Sequence, residues 1–267
     1  GRRGRALEIL LEAAQAHRRA DSFAAVRATC LHMLQIDAEH AAALELLVEA
    51  AGHLPEVTGQ SRTAARRRLA KVWTKRGQTA KALPLLRELA RELPADPDIL
   101  GLWAQVSQAQ GRREECEEAL RALAALTAKG GDTSFLLGLG EALLADSPWP
   151  RLVREAMAQG LAAAKQVGEH PEILIALAED CSREGDIVRA AEIHQMLLAA
   201  RPRDPELRQR FVEFLAQHGQ HTRAVHEILA LAELHHARSD IRREAAALAR
   251  ARELDPDNAQ VLHRLGQ

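Results

Sequence analysis

The stretch PEILIALAEDCSREGDIVRAAEIHQMLLAARPRD, residues 171–204, decides how this chain is read. Its first half sets Leu174, Leu177 and Cys181 three to four residues apart around the small Ala178, which makes one apolar face of a helix. Gly185-Asp186 breaks that helix. The second half carries Ala190, His194 and Leu197 on one face and stops at Pro202, because a residue preceding proline is pushed out of the helical region. The segment is therefore a helical hairpin, and a hairpin of this size buries its apolar faces only against neighbours of the same kind.

Composition extends the helical reading to the whole chain of 267 residues. Tyr is absent, aromatics make up 3%, and Ala, Leu, Arg and Glu, all good helix formers, dominate a chain that is 47% hydrophobic. The formal net charge of -1 gives no global attraction to nucleic acid or to an anionic membrane. No stretch approaches the roughly 20 apolar residues that span a bilayer, and the arginine-bearing start lacks the apolar core of a signal peptide. Cys30, Cys116 and Cys181 are odd in number and far apart, so a reduced, cytoplasmic compartment is expected. A start at Gly rather than Met points to a processed or excised piece of a longer protein.

The 171–204 unit resembles the tetratricopeptide repeat, whose pattern has large apolar residues at positions 4 and 7, a small one at 8, Ala at 20 and 27, and Pro at 32. Repeat starts at 7, 41, 63, 97, 133, 171, 205, 225 and 259 put Ala13, Leu47, Leu69, Trp103, Leu139, Leu177, Phe211, Leu231 and Leu265 at position 7. Position 8 then holds Ala14, Val48, Ala70, Ala104, Gly140, Ala178, Val212, Ala232 and Gly266, small enough for the two helices of a hairpin to approach. The repeats are degenerate. Position 4 is charged at Arg66 and Arg208, position 20 is Cys116 and Glu244 in two frames, and the segment 145–150 lengthens one turn so that Trp149 is expected at the surface. The starts 41 to 63 and 205 to 225 lie closer than one repeat. Val57–Lys75 and His221–Ala237 are accordingly read as single long helices, each closing one hairpin and opening the next, with a local change of path as the alternative. The expected fold is an all-α solenoid of about eight repeats over 1–267, which the resemblance makes a right-handed superhelix. No polar cap closes the end that carries Leu262, Leu265 and Gly266, which leaves a longer array or self-association there.

Several constellations bear on function. Arg62, Arg66, Arg67, Arg68, Lys71, Lys75 and Arg76 fall in a run without acids; residues 57–96 hold ten basic and three acidic side chains, and residues 97–190 nine and fifteen. Such a helix grips an acidic surface or simply solvates a face. Nucleic acid is disfavoured, because only Trp73 is at hand to stack on a base. Of the histidines crowded near 218–236, His235 falls at a packing position and the others at the surface, which offers no metal set. The cysteines fall at inward positions, Glu114 to Glu118 open a helix as solvated caps, and no phosphate loop or nucleophile elbow is present. No enzyme activity and no cofactor are expected.

What the resemblance implies is a groove, lined by positions 2, 5, 9, 12 and 13 of the first helices, that takes a partner peptide or helix. Position 9 holds Glu49, Lys71, Gln105, Glu141, Glu179, Glu213 and Glu233, and the carboxylates predict a partner segment of basic or mixed charge, oriented by Arg67 and Lys71 at a basic end. That row departs from the basic clamp by which some members of the family hold a C-terminal carboxylate. The leading expectation is a scaffold for another protein. The alternatives are a recruiting arm of a larger enzyme and a self-assembling scaffold.

Overall fold

Why this sequence yields hairpins is visible at their tips. The computed structural model describes residues 2–130 and 132–265, and among these there are fifteen helices. They are α1 (Arg2–Arg19), α2 (Phe23–Ile36), α3 (Ala41–His53), α4 (Gly59–Lys75), α5 (Thr79–Glu92), α6 (Pro97–Ala109), α7 (Arg113–Gly130) and α8 (Ser134–Leu144). There follow α9 (Pro150–Ala163), α10 (Pro171–Arg183), α11 (Ile187–Ala200), α12 (Pro205–Gln217), α13 (His221–Ala237), α14 (Ile241–Leu254) and α15 (Ala259–Leu265). Gly185 takes a left-handed φ of +81°, and the Asp186 amide then donates 2.8 Å back to the Cys181 carbonyl, which caps the end of α10 and reverses the chain. The same closure recurs at Gly77, Gly111 and Gly219. It recurs also at Asp21, Lys165 and Ser239, where a side chain accepts the left-handed backbone.

Helix starts are written as plainly. Asp96 and Asp204 accept amide hydrogens of the first turns of α6 and α12, and Pro97 and Pro205 occupy the next position, where a missing N–H leaves no partner unmet. Asp186, Asp240 and Thr58 cap α11, α14 and α4 in the same way.

Packing divides the chain into two units, residues 1–126 with 141–148, and residues 127–140 with 149–267. In the first, consecutive helices from α1 to α6 pack pairwise around Ala14, Cys30, Met33, Leu44, Leu47 and Leu69. In the second, helices α9 to α14 pack pairwise around Leu161, Leu174, Leu177, Leu197, Phe211 and Leu215. Of the position 7 residues, Leu47, Leu69, Trp103, Leu139, Leu177, Phe211 and Leu231 are buried, Ala13 is half-buried and Leu265 is exposed. Gly140 is packed so closely that an added Cβ meets the Met157 sulfur at 2.4 Å. Gly266, expected at position 8, lies outside the described residues.

The second start of each closely spaced pair falls inside a 17-residue helix, 63 in α4 and 225 in α13. Helix α4 begins at Gly59, two residues after the expected Val57, since Thr58 caps it, and packs on both α3 and α5. Helix α13 packs on both α12 and α14. Trp149 differs from expectation: it is half-buried. The charged residues at position 4 have a physical reason, because each reaches across its own hairpin to the next helix. Arg66 meets Glu88 and Glu92 at 2.6 and 2.5 Å, and Arg208 meets Glu227.

Candidate functional site

On α12, residues three and four apart divide the helix cleanly. Leu207, Phe211, Phe214 and Leu215 are buried, and the opposite stripe carries Glu206, Gln209 and Glu213, positions 2, 5 and 9 of the frame starting at 205. Helix α14 divides likewise, with Leu248 and Ala251 buried and Arg243, Ala246, Ala247 and Arg250 on another face. Because α13 is shared between two hairpins, α12 and α14 flank it. Between them lies a cavity of about 690 Å³, walled by those two stripes and by Arg210, with Pro205 at its mouth and Leu231 and His235 of α13 as its buried floor.

The electrostatics of this cavity are uneven. The Gln209 side-chain amide donates 2.7 Å to Glu213, and Arg250 stands 4.0 Å from the same carboxylate. Arg243 lies 3.5 Å from Asp240, the residue that caps α14. Arg210 is exposed and forms an ion pair with no carboxylate among the described residues. A second hollow of about 530 Å³ adjoins, sharing Pro205 and Glu206 and adding Arg201, Arg203 and Arg238 from neighbouring turns.

The residues expected to touch a partner are not gathered in one place. Glu213 lies in the cavity of α12 to α14. Glu141, Glu179 and Glu233 are exposed, the last within 3.5 Å of Arg264. Glu49 is held by Arg18 at 2.8 Å, Gln105 is half-buried and Lys71 is exposed. Arg67 is engaged by Asp96 at 2.8 Å and Asp98 at 3.8 Å, beside a hollow between α5 and α6. The rest of the basic run on α4 is spent inside the molecule. Arg62 donates to the Leu54 carbonyl, Arg68 to that of Ala38, Lys75 to Glu39, and Arg76 to the Glu39 carbonyl. Glu115, expected merely to solvate the start of α7, is clasped by Arg87 and accepts from the Trp103 indole, and the Arg87 hydrogen bond holds its carboxyl below the usual range.

The remaining candidate chemistry resolves into packing. Cys30, Cys116 and Cys181 are buried; burial pushes the Cys30 and Cys116 thiols up to about 11 and raises that of Cys181, so the nucleophilic thiolate is disfavoured at all three. His235 is buried, the His218 Nδ1–H donates to the Phe214 carbonyl, and His236 meets Glu244 at 2.9 Å. Among the described residues no three His, Cys, Asp or Glu side chains are placed to hold a metal, and no helix is long and apolar enough to cross a membrane. Leu262 and Leu265 on α15 are exposed.

The groove arginines Arg210, Arg243 and Arg250 were not singled out by the sequence reading. Their signal was present only as spacing: Arg243, Ala246, Ala247 and Arg250 form a helical stripe whose counterpart is α12.

Comparison with known proteins finds one family match over part of the chain. Residues 74–134, from the end of α4 to the start of α8, match the tetratricopeptide repeat. No curated protein matches the sequence. Among solved structures, a tetratricopeptide repeat protein from Parabacteroides merdae is 14% identical, with 100% of this chain and 98% of that one covered, at a TM-score of 0.36. Pseudomonas aeruginosa pilF is 18% identical over 76% of this chain and 96% of its own, at 0.30. The C-terminal part of a TPR repeat-containing protein from Cytophaga hutchinsonii is 12% identical over 83% and 94%, at 0.33. Residues 74–134 thus match the tetratricopeptide repeat by sequence, and with helical hairpins of the same build on either side among the described residues the chain is an all-α helical repeat solenoid.

Proposed function

We propose that this chain is a protein-binding module that receives a segment of a partner protein in the groove between α12 and α14. Tetratricopeptide repeats generally serve protein–protein interaction, since stacked hairpins expose surface without assembling a reactive centre. The observation that carries the reading is the cavity of about 690 Å³ whose α12 wall consists of positions 2, 5 and 9 of its repeat. Its size lies within the range of sites that bury a bound group. In this reading the exposed Glu141, Glu179 and Glu233, with Lys71 and Gln105, extend the contact surface along other first helices. Glu49 and Arg67 contribute less, because each already has an internal partner.

The test is site-specific photocrosslinking in cells. A photoreactive residue replaces Gln209 or Ala246 in the groove, and His226, exposed but outside the cavity, serves as control. Adducts with one partner protein from positions 209 and 246, and none from 226, are expected. Adducts from 226 alone, or none from either groove position, overturn the reading.

A further inference from the structure

On helix α4 the positive charge is largely matched by a nearby opposite charge or carbonyl. Six of the seven basic residues on the α4 run are so matched, although the run looks naked in sequence. The groove of α12 to α14 carries more positive than negative charge, although Arg243 lies 3.5 Å from Asp240 and Arg250 4.0 Å from Glu213. Arg210, Arg243 and Arg250 line it against Glu206 and Glu213. Glu213 is already bonded to Gln209 and approached by Arg250, while Arg210 has no carboxylate. The adjoining hollow adds Arg201, Arg203 and Arg238 against one further acid, Asp204, which accepts the first amides of α12 at 3.0 and 3.2 Å and stands 3.9 Å from Arg201; Arg201 and Arg238 also donate to the Gly168 and Arg203 carbonyls, which carry no full charge. Unbalanced positive charge in a concave site with a buried floor focuses its field outward and selects an anionic occupant.

We infer that the segment this groove receives is an acidic stretch of a partner protein, small and apolar on its inner side. The inference rests on the groove reading above and names its chemistry. Leu231 on the floor and Ala246 and Ala247 on the α14 wall offer apolar surface with little side-chain bulk, against which a helix or strand backbone lies close. Carboxylates along the segment's outer edges meet Arg210 on one wall and Arg243 and Arg250 on the other. Nucleic acid fits less well, for two reasons. Apart from the buried His235 imidazole no aromatic ring lines the cavity to stack on a base, and the two glutamates repel a uniform row of phosphates while tolerating a protein segment that carries an occasional lysine. The acidic preference also reverses what the position 9 glutamates suggest when they are taken without α14.

The test uses the full chain and three labelled probes in fluorescence anisotropy at low salt: a peptide alternating glutamate with alanine and leucine, its lysine counterpart, and single-stranded oligothymidylate. The glutamate peptide is expected to bind, and the lysine peptide to bind at least about tenfold more weakly, with added salt eroding the difference. Arg210→Glu with Arg250→Glu, checked for unchanged helicity, lowers glutamate-peptide affinity by at least about tenfold, whereas Arg210→Lys retains most of it. An independent readout is the His194 imidazole, whose proton affinity Arg210 lowers; an anion seated at Arg210 raises it, which NMR titration follows. Absence of glutamate-peptide binding, equal affinity for the lysine peptide, tighter binding of oligothymidylate, or indifference to the arginine reversals each overturns the inference. Crosslinks from positions 209 and 246 to a segment without acidic excess remove the charge assignment and leave the groove reading standing. Absence of groove crosslinks removes both.

Discussion

His194 gives the sharpest quantitative expectation. Its side chain is 8% exposed on α11, stacked at 5.3 Å on Phe211 and tilted at 5.0 Å against Phe214 of α12. Burial, and secondarily the nearby Arg210, lowers its pKa from 6.5 to about 4. Above pH 6.5 the imidazole is neutral in folded and unfolded chains alike, and it contributes no pH dependence. As pH falls from 6.5 toward 4 the unfolded chain takes up a proton that the folded chain refuses, so stability declines through that window and levels off below it. At about 1.4 kcal/mol for each tenfold in proton affinity, the whole window is worth about 3 kcal/mol and the part between pH 7 and pH 5 about 2 kcal/mol. Urea denaturation of the native chain and of His194→Leu, each at pH 7 and pH 5, isolates this term, since the other titrating groups are common to both. The native protein is expected to lose about 2 kcal/mol more than the variant on acidification. Equal losses in the two proteins, or an imidazole that titrates near 6.5 by NMR, refute the reasoning.

Three further outcomes follow from the packing. Trp103→Ala removes a buried position 7 side chain and the donor to Glu115, and is expected to cost about 3–5 kcal/mol in chemical denaturation. Arg208→Leu strands the half-buried Glu227 and is expected to destabilise by about 1–3 kcal/mol, while the double change with Glu227→Leu returns close to the native value; a double-mutant cycle reads the difference. Lys165 holds a φ of +60°, so Lys165→Gly is expected to raise stability by about 0.5–1 kcal/mol, visible as a higher thermal midpoint.

Local features were legible where the sequence states them locally. Gly185, Asp204-Pro205 and the small residue after each position 7 apolar residue encode a turn, a start and a close approach within a few residues, and the hairpins follow from them. Lys165 escaped, because a left-handed lysine carries no glycine signal although it closes α9 as Gly185 closes α10. The basic run on α4 looked available because its acids arrive from Glu39, Glu88, Glu92 and Asp96, all outside the run 62–76 itself. For the groove the missing link was longer. Glu206, Gln209 and Glu213 are predictable as a stripe, but Arg243 and Arg250 meet them only after α13 has been packed on both sides, a step that spacing along the chain does not display.

The sharing of α13 also bears on how this part of the molecule comes apart. In a regular array each hairpin is a module that can be lost while its neighbour keeps its own two helices. Here α13 supplies the second helix of one hairpin and the first of the next, with Ala224, Val225 and Ile228 buried toward its start and Leu231, Ala232 and His235 toward its end. Unravelling α14 therefore uncovers a helix that α12 still needs, and the three helices rise and fall together as one cooperative block rather than as separable repeats. Hydrogen exchange along α12, α13 and α14 should report a single opening event, and the groove they form vanishes with it as a unit.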